Sequence, residues 1–170
     1  MVILPLDELR ARAKKIRVVV TDVDGTLTDG GVYYSEKGEE LVRFSRRDGM
    51  GFELLAKAGL ASAMLSREDS PMTRARAKKL GLEHVFTGCR DKHAFLATIT
   101  ERTGAGADAL AYIGDDMNDV DLMRVVALAG APHDAAEEAR GAAHVITDAP
   151  GGHGAFREFA GWILKLRGGG

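Results

Sequence analysis

Short apolar runs rich in β-branched residues alternate with amphipathic stretches along most of the chain. The runs predict strands at Ile16 to Thr21, Leu60 to Leu65, His84 to Phe86, Ala109 to Ile113, Ala127 to Ala129 and Ala143 to Thr147. The stretches beside them predict helices at Leu6 to Lys15, Asp48 to Lys57, Pro71 to Leu80, Asp91 to Arg102, Asn118 to Val126, Ala135 to Arg140 and Ala155 to Arg167. Strands that alternate with helices are typical of a parallel α/β sheet with right-handed crossovers.

Capping residues mark the ends of two of these helices. Ser70 followed by Pro71 is a strong N-terminal signal, and Gly81 follows the last residue of that helix. Asp48 is the predicted N-cap of the Asp48 to Lys57 helix, and Gly59 lies just beyond its end.

One segment departs from the strand and helix repeat. Val32 to Tyr34 and Glu40 to Phe44 are β-prone and flank a polar turn that contains Gly38. This pattern predicts a β-hairpin over about residues 32–44. Because the hairpin directly follows the first strand and is too small to be a domain, we expect a flap or an oligomer contact.

Composition narrows the possible classes of protein. A net charge of −2 gives no electrostatic case for nucleic acid or anionic membranes as partners. A single cysteine, Cys89, excludes an internal disulfide and a cysteine-based zinc site. No apolar run reaches membrane-spanning length, and the N-terminal segment lacks the layout of a signal peptide. We expect a cytoplasmic protein with one domain over residues 1–170 and no membrane partner.

Two carboxylates lie directly after the first apolar strand. Asp22 and Asp24 are separated by one residue, so their side chains project to the same side of the strand exit. Ligands of open α/β sheets bind just beyond the carboxyl ends of strands. Two negative charges there require a cation or a shared proton, which predicts a metal site with a reactive carboxylate. The alternative is an ordinary turn made by Asp and Gly.

Two further polar residues follow in order. Ser66 ends the second core strand, where its hydroxyl can hold a phosphoryl oxygen, although a simple turn serine is the alternative. Lys92 lies at a predicted helix start, where it can neutralise both a phosphate and a carboxylate nucleophile. The alternative for Lys92 is a solvated surface lysine.

An acidic cluster follows the strand that ends at Ile113. Asp115, Asp116 and Asp119 supply the hard oxygen ligands that suit Mg²⁺. The alternative is a helix capped by Asn118 with solvated acids around it. We favour the metal site because three acids at one apolar strand exit need a counterion.

The string DVDGTLTDG, followed in order by the serine, the lysine and the acidic cluster, resembles the four motifs of the haloacid dehalogenase superfamily phosphatases. This resemblance implies a Rossmann-like α/β fold with a central parallel sheet flanked by helices. It also implies phosphomonoester hydrolysis through an aspartyl-phosphate on Asp22, with Asp24 as acid and then base. The resemblance places Mg²⁺ on Asp22, the Asp24 carbonyl and Asp115, with Asp116 and Asp119 around them, and the phosphoryl group on Ser66 and Lys92.

The hairpin stands where most of these phosphatases carry a cap domain. The chain resembles the capless subfamily that acts on phosphates of 3-deoxy-2-keto sugar acids, of the KDO 8-phosphate or KDN 9-phosphate type. Those enzymes are tetramers, so the resemblance implies a homotetramer in which neighbouring subunits close the site. The segment GGHGAFREF matches the C-terminal loop of that subfamily. It places Gly152 and His153 near the substrate and makes Arg157 a candidate for the substrate carboxylate, or else a surface residue that pairs with an acid.

Ser66-Arg67-Glu68 departs from the Thr-Gly-Arg that is usual in KDO 8-phosphate phosphatases. A glutamate in the third position resembles KDN 9-phosphate phosphatase and the phosphatase-like domain of some acylneuraminate cytidylyltransferases. Glu68 can bind substrate hydroxyls or an amine, which favours a nine-carbon acid; the alternative is pairing with Arg67 or Arg74. Arg67 in the usual glycine position also predicts a change in the loop backbone.

Two other functions compete with the phosphatase. A receiver domain also uses an acidic cluster, a phosphorylated aspartate and a lysine, but Asp24 would speed hydrolysis where a receiver needs a lasting phosphate. A non-catalytic oligomerisation or regulatory module of sialic-acid-type metabolism keeps the same fold. All the catalytic motif residues are present, which argues against that module, although Arg67 keeps it open.

Overall fold

The computed structural model describes residues 4–168 of the chain. Met1 to Ile3 and the last two glycines lie outside the described residues, so the N-terminal segment is described only from Leu4. Within residues 4–168, no helix combines the length and the apolar character needed to cross a membrane.

Six parallel strands form the central sheet of the described chain, in the order β5-β4-β1-β6-β7-β8. They are β1 Val18–Thr21, β4 Ala61–Leu65, β5 His84–Phe86, β6 Leu110–Ile113, β7 Leu128–Ala131 and β8 Val145–Ile146. The first strand is central and pairs in parallel with β4 on one side and β6 on the other. The strands β4 and β5 are therefore added on one side of β1, and the later strands β6 to β8 on the other side. This change of side opens a crevice at the carboxyl ends of β1 and β6.

Helices cover both faces of the sheet. The helices are α1 Leu6–Lys15, α2 Arg46–Lys57, α3 Pro71–Leu80, α4 Leu96–Thr103, α5 Met117–Val125, α6 Glu137–Ala142 and α7 Ala155–Leu166, with a 3-10 turn at Ala107–Ala109. Alternate side chains of β1 enter the two cores: Val19 packs with α1, α2, α3 and α7, whereas Val18 and Val20 pack with α4, α5 and α6. The predicted sheet of parallel strands flanked by helices is confirmed.

The predicted hairpin is a separate two-stranded antiparallel sheet. Its strands, β2 Tyr33–Tyr34 and β3 Glu40–Leu41, are shorter than the sequence pattern indicated. Both strands are exposed on both faces, so packing does not extend their pairing further.

Four helix starts differ from the prediction: α5 begins at Met117 and α6 at Glu137, and the differences at α2 and α4 affect the surroundings of the site. Ser45, not Asp48, caps α2, and its hydroxyl accepts a hydrogen bond from the Arg47 amide at 3.1 Å. The α4 helix begins at Leu96 instead of Asp91, because residues 91–95 form a turn in which the Asp91 side chain accepts from the Ala94 amide at 2.9 Å. This turn carries Lys92 into the interior.

Asp48 has a different role from the predicted one. Its buried carboxylate accepts hydrogen bonds from the amides of Gly154, at 3.2 Å, and Arg157, at 3.1 Å. Gly154 is the N-cap residue of α7 and Arg157 lies in its first turn, and this helix has no side-chain cap of its own. A residue of α2 therefore caps α7 across the fold and holds the glycine-rich loop before it.

We expect Asp48→Ala to lower the free energy of unfolding by about 1–3 kcal/mol, because it leaves buried amide donors without an acceptor. Asp48→Asn keeps an acceptor oxygen and should lose less than half of that. Urea denaturation of both variants tests this, with Asp7→Ala, at an almost fully exposed side chain, as the control. Equal losses in the alanine and asparagine variants would show that the cap does not stabilise α7.

Candidate active site at the carboxyl edge of the sheet

The loop after β1 brings the nucleophile candidate to the crevice. Asp22 is buried, with 4% of its surface exposed, and its amide donates to the Ile113 carbonyl of β6 at 2.9 Å. Gly25 has a φ of +88°, and a Cβ atom at this position would lie 2.0 Å from Asp115 Oδ2. Only glycine therefore lets this loop pass so close to the acidic cluster.

Lys92 joins the two strand exits. Its ammonium group lies 2.5 Å from Asp22 Oδ1 and 2.5 Å from Asp119 Oδ1, and only 1% of the residue is exposed. Burial alone lowers the pKa of Lys92, but the two carboxylates outweigh it and raise this pKa overall. Lys92 is therefore a buried cation, and the alternative of a solvated surface lysine does not hold.

Asp119 is surrounded by donors from the protein. Besides Lys92, the Tyr112 hydroxyl donates to Asp119 Oδ1 at 2.5 Å. The amides of Asp115 and Asp116 donate to Asp119 Oδ2 at 3.0 and 3.1 Å. Asp119 thus fixes Lys92 and the backbone of the acidic loop. Asp116, instead of Asn118, is the N-cap of α5, so part of the cluster does serve as a helix cap.

The donor set fits a divalent cation. Carboxylate oxygens of Asp22, Asp115 and Asp119 all lie within 4.8 Å of one another. Both oxygens of Asp119 accept hydrogen bonds from Lys92, Tyr112 or backbone amides, whereas in the described chain Asp22 and Asp115 accept from Lys92 and Thr26 through Oδ1 only. Asp22 and Asp115 are therefore the pair with an oxygen left to ligate a metal. Burial holds the pKa of Asp22 well above its usual range and raises that of Asp115 to about 6. Neighbouring carboxylates with raised pKa values are the groups that a divalent cation keeps ionised.

Asp24 lies on the open side of the same loop. Ser66 is fully buried, and its hydroxyl donates to Asp24 Oδ2 at 3.2 Å while accepting from the Glu68 amide at 3.1 Å. Asp24 itself is exposed to the crevice, and loss of part of its hydration there raises its pKa. A carboxyl with a raised pKa beside a buried carboxylate can donate a proton and later accept one.

A cleft of about 490 Å³ opens next to Asp24. The hairpin forms one wall, where the Tyr34 hydroxyl donates to Glu40 Oε1 at 2.7 Å. Glu68 also lines this cleft, and within residues 4–168 its carboxylate has no ion-pair partner, neither Arg67 nor Arg74. The structure therefore brings Glu68 to the same cleft as Asp24.

Comparison with known proteins identifies the family. The model of the haloacid dehalogenase-like hydrolases matches residues 59–158 of the chain. The 3-deoxy-D-manno-octulosonate 8-phosphate phosphatase of Haemophilus influenzae is 36% identical over 160 residues, which cover 94% of this chain and 89% of that protein. The chain belongs to the haloacid dehalogenase-like hydrolase family.

Solved structures agree with this assignment. The same phosphatase from Moraxella catarrhalis, solved with a magnesium ion, a phosphate ion and a KDO molecule, is 34% identical and superposes with a TM-score of 0.92 over 96% of this chain and 94% of that one. A cobalt-bound form of the Haemophilus influenzae enzyme is 36% identical, with a TM-score of 0.88 and 92% of each chain covered. The predictions of the family, its fold and a phosphatase enzyme are confirmed.

The glycine-rich loop before α7 packs against the loop that carries the nucleophile. The Gly152 amide donates to the Thr26 carbonyl at 2.9 Å, and a Cβ atom on Gly151 would lie 1.8 Å from the Gly25 carbonyl oxygen. Arg43 at the base of the hairpin reaches Gly152 O at 3.1 Å and His153 Nε2 at 2.9 Å. Neither Gly152 nor His153 lines the cleft beside Asp24.

Arg157 also lies away from that cleft within the described chain. Its amide binds Asp48, and its guanidinium lies against its own helix near Gly161. It lines a shallow depression together with Glu158, Trp162 and Lys165. The structure therefore does not bring this arginine to the nucleophile of the same subunit.

Three further residues of the site were not predicted from the motifs. Tyr112, fully buried on β6, and Thr26, whose hydroxyl donates to Asp115 Oδ1 at 3.2 Å, both hold acidic groups. Thr28 accepts from the amides of Gly25 and Gly30 at 3.1 and 3.2 Å and so shapes the loop. The only indication in the sequence was that a tyrosine and two threonines lie within the motif segments. Residues of these types are equally common there as ordinary core or turn residues.

Proposed function

We propose that this hydrolase releases phosphate from the 8-phosphate of 3-deoxy-D-manno-octulosonate through an aspartyl-phosphate on Asp22. The observation that carries the proposal is the group of Asp22, Lys92 and Asp24 at one strand exit, with Ser66 beside Asp24. Relatives that bear the name of this phosphatase, one of them solved with magnesium, phosphate and KDO, support the choice of substrate.

The reaction divides into two displacements. A carboxylate oxygen of Asp22 attacks phosphorus, the bond from phosphorus to the sugar oxygen breaks, and Asp24 gives its proton to that leaving oxygen. Asp24 then takes a proton from water, and the water oxygen attacks the phosphorus of the aspartyl-phosphate. The bond to Asp22 breaks and inorganic phosphate leaves. Two smaller barriers replace one large barrier, and a single residue serves first as acid and then as base.

The chain's own cation and hydroxyl hold the phosphoryl group in both steps. Lys92, paired on both sides, places a fixed positive charge beside Asp22 and offsets repulsion between that carboxylate and the incoming phosphate. The Ser66 hydroxyl, at hydrogen-bond distance from Asp24, can donate to a phosphoryl oxygen at the same place. Mg²⁺, when bound, screens the negative charges of carboxylate and phosphate. Asp22, the Asp24 carbonyl and Asp115 would hold it, with Asp116 and Asp119 orienting the loop.

The hairpin supports a proposal about assembly. Its exposed apolar side chains, Val32, Tyr33 and Leu41, are 48%, 65% and 67% exposed and lie on the segment that walls the cleft. Large apolar side chains grouped on one exposed segment mark a contact surface. We propose that residues 32–44 act as a flap within a single catalytic domain and that a homotetramer completes the site around it.

KDN 9-phosphate, or an acylneuraminate 9-phosphate, is the second candidate substrate. Glu68 favours it, because an unpaired carboxylate in the cleft offers an acceptor to hydroxyls or to an amine. Arg67, which kept the non-catalytic module open as an alternative, does not need an unusual backbone conformation. No residue other than glycine has a positive φ in residues 4–168. The replacement of the usual glycine is therefore free of backbone strain.

A phosphate-release assay tests the proposal. The panel is KDO 8-phosphate, KDN 9-phosphate, N-acetylneuraminate 9-phosphate and hexose phosphates, each with Mg²⁺ and with a chelator. We expect KDO 8-phosphate to be preferred and the chelator to remove at least about 99% of the activity, since the metal offsets several kcal/mol of charge repulsion.

Each other outcome points to a different function. Preference for a nine-carbon acid would favour the second candidate, and weak, even turnover of the whole panel would overturn both substrates. No release at all would favour the non-catalytic module. The receiver domain is no longer an alternative, because the chain belongs to the haloacid dehalogenase-like hydrolase family.

A further inference from the structure

Arg43 joins three parts of the chain at the base of the hairpin. It lies two residues beyond β3, and its Nε donates to Asp29 Oδ2, near the end of the loop after β1, at 3.0 Å. In the glycine-rich loop, its Nη2 donates to the Gly152 carbonyl at 3.1 Å and lies 2.9 Å from His153 Nε2. We call Asp29, Arg43, Gly152 and His153 the arginine clasp.

The hydrogen-bond pattern assigns one tautomer to His153 in the clasp. Its Nδ1 lies 2.8 Å from the Gly151 carbonyl, which can only accept, so the proton belongs on Nδ1 and Nε2 is left to accept from Arg43. The hydrogen bond from Arg43 also lowers the pKa of Asp29, which keeps that carboxylate ionised beside the guanidinium. His153 therefore has its partners within the protein and orients the arginine.

The clasp is attached to the nucleophile loop, residues 22–31. Asp29 Oδ1 accepts from the Gly31 amide at 3.1 Å, which shapes the turn from this loop into the hairpin. On the other side, the Gly152 amide donates to the Thr26 carbonyl at 2.9 Å. The guanidinium therefore holds the base of the hairpin against two points of the loop that carries the reactive carboxylates.

The hairpin depends on this attachment, because its own structure is small. Its two strands pair over two residues each and are exposed on both faces, and an isolated hairpin is at best marginally stable in water. Phe44, which follows the arginine, packs against the core and fixes the point where the chain leaves the hairpin. The direction in which the hairpin projects from that point is set by the polar contacts of the clasp.

The position of the hairpin affects the sugar and not the phosphoryl group. Tyr34 and Glu40 of the hairpin line the cleft beside Asp24, the residue that protonates the leaving sugar oxygen in the proposed reaction. Ser66 and Lys92, which hold the phosphoryl group in that reaction, make no hydrogen bond to the clasp in the described chain. A displaced hairpin therefore weakens contacts to the sugar and leaves the phosphoryl site intact.

We propose that Arg43 is a positioning residue that holds the hairpin wall at its distance from Asp24 and so sets the affinity of the enzyme for the sugar part of its substrate. The inference rests on the proposed function, since it assumes a sugar phosphate as substrate. Within residues 4–168, Arg43 is not among the residues that line the cleft, so it acts through the hairpin and not by contact with the substrate.

Kinetics of Arg43→Ala and Arg43→Lys test the inference, with KDO 8-phosphate and p-nitrophenyl phosphate as substrates in the presence of Mg²⁺. The ester has the phosphate but no sugar. We expect KM for KDO 8-phosphate to rise about 10-fold in the alanine variant, the scale of a lost hydrogen bond to a charged group. The kcat for that substrate should change by less than about threefold, and KM for the ester by less than about twofold.

Two further variants separate the shape of the guanidinium from its charge. The ammonium group of Arg43→Lys can pair with Asp29 but lacks the planar fork that also reaches Gly152, so this variant should recover less than half of the loss. Arg10→Ala, at an exposed arginine of α1 that pairs with Asp7, is the matched control and should leave both KM values unchanged.

A double variant shows whether Arg43 acts through the glycine-rich loop. His153→Ala removes one partner of the guanidinium and should raise KM for KDO 8-phosphate by about threefold. Combined with Arg43→Ala, it should raise KM by less than about 1.5-fold further, because the two side chains form one contact.

Amide hydrogen exchange gives a readout that needs no substrate. The amides of residues 33–41 should exchange at least about fivefold faster in Arg43→Ala than in wild type, since exchange reports local opening of the hairpin. The Tm and the mass measured by sedimentation should stay unchanged.

The outcomes separate the inference from the proposed function. Unchanged KM and unchanged exchange in Arg43→Ala would show that other contacts hold the hairpin. Equal increases in KM for both substrates would show that the clasp supports the phosphoryl site, and a smaller mass would assign the effect to assembly. Each of these results overturns the inference while the proposed function stands. A wild-type enzyme that hydrolyses the aryl ester but no sugar phosphate overturns the proposed substrate, and the role of Arg43 in sugar affinity falls with it.

Discussion

Asp22→Asn should reduce phosphate release by at least about 10⁴-fold, because removal of a nucleophile costs several orders of magnitude in kcat. An amide cannot form the aspartyl-phosphate, whereas its shape preserves the packing of the loop. Lys92 keeps its second partner, Asp119, so the variant leaves no buried cation unpaired. The measurement is phosphate release from KDO 8-phosphate and from p-nitrophenyl phosphate in the presence of Mg²⁺.

Stability separates lost chemistry from lost structure in this variant. Burial already raises the pKa of Asp22, so its ionised form is costly in the fold, and a neutral amide should not lower Tm in metal-free protein. Asp121→Asn, at an exposed acid of α5, is the control and should keep both full activity and Tm. Residual activity above about 1% of wild type would contradict a covalent intermediate on Asp22.

The sequence predicted the sheet well because burial imposes a clear pattern on parallel strands. The side chains of Val18 to Val20 point alternately into the two cores, so every position of the strand is buried. A strand that is buried on both faces is a continuous run of apolar, β-branched residues, which is easy to recognise. The hairpin was located correctly, but its strands are shorter than predicted. Exposed strands with few packing partners leave little signal in the sequence for where pairing stops.

Errors arose where a polar residue acts across the fold instead of locally. Asp48 has the residue type and position of a helix cap, and it does cap a helix, but the helix is α7. The Asp91 turn resembles the first turn of a helix because the two share local hydrogen bonding from an aspartate. Local sequence rules cannot identify the partner in either case, because it is distant along the chain. The partner of Asp48 is the start of α7, and the Asp91 turn brings Lys92 to Asp22.

The candidate site was the most predictable part of the molecule at its strand exits and the least predictable beyond them. Asp22 and Asp115 meet because β1 and β6 are neighbours whose carboxyl ends lie at one edge. Their supports, Tyr112 and Thr26, were missed because their roles depend on which side of a strand or loop faces the acids. Arg157 was placed from a resemblance in the C-terminal loop, and helix α7 turns its side chain elsewhere.

Lys92→Met should both inactivate the enzyme and lower the free energy of unfolding by about 3–5 kcal/mol, the usual cost of breaking a buried ion pair. The methionine fills a similar volume, so the loss comes from charge: Asp22 and Asp119 remain buried without their shared cation. Lys57→Met, at an exposed lysine of α2, is the matched control and should change the free energy of unfolding by less than about 0.5 kcal/mol.

The double variant Lys92→Met with Asp22→Asn decides whether this cost is electrostatic. It retains only one of the two buried carboxylates, and that one, Asp119, still accepts from Tyr112 and two backbone amides. Its free energy of unfolding should therefore recover by at least about 1 kcal/mol relative to Lys92→Met alone, a positive coupling between residues in contact. Urea denaturation in the presence of a chelator measures this, since a bound metal would substitute for the missing cation. Losses that simply add, or a double variant less stable than Lys92→Met, would assign the cost to packing around the lysine side chain and would exclude an electrostatic role for Lys92 in stability.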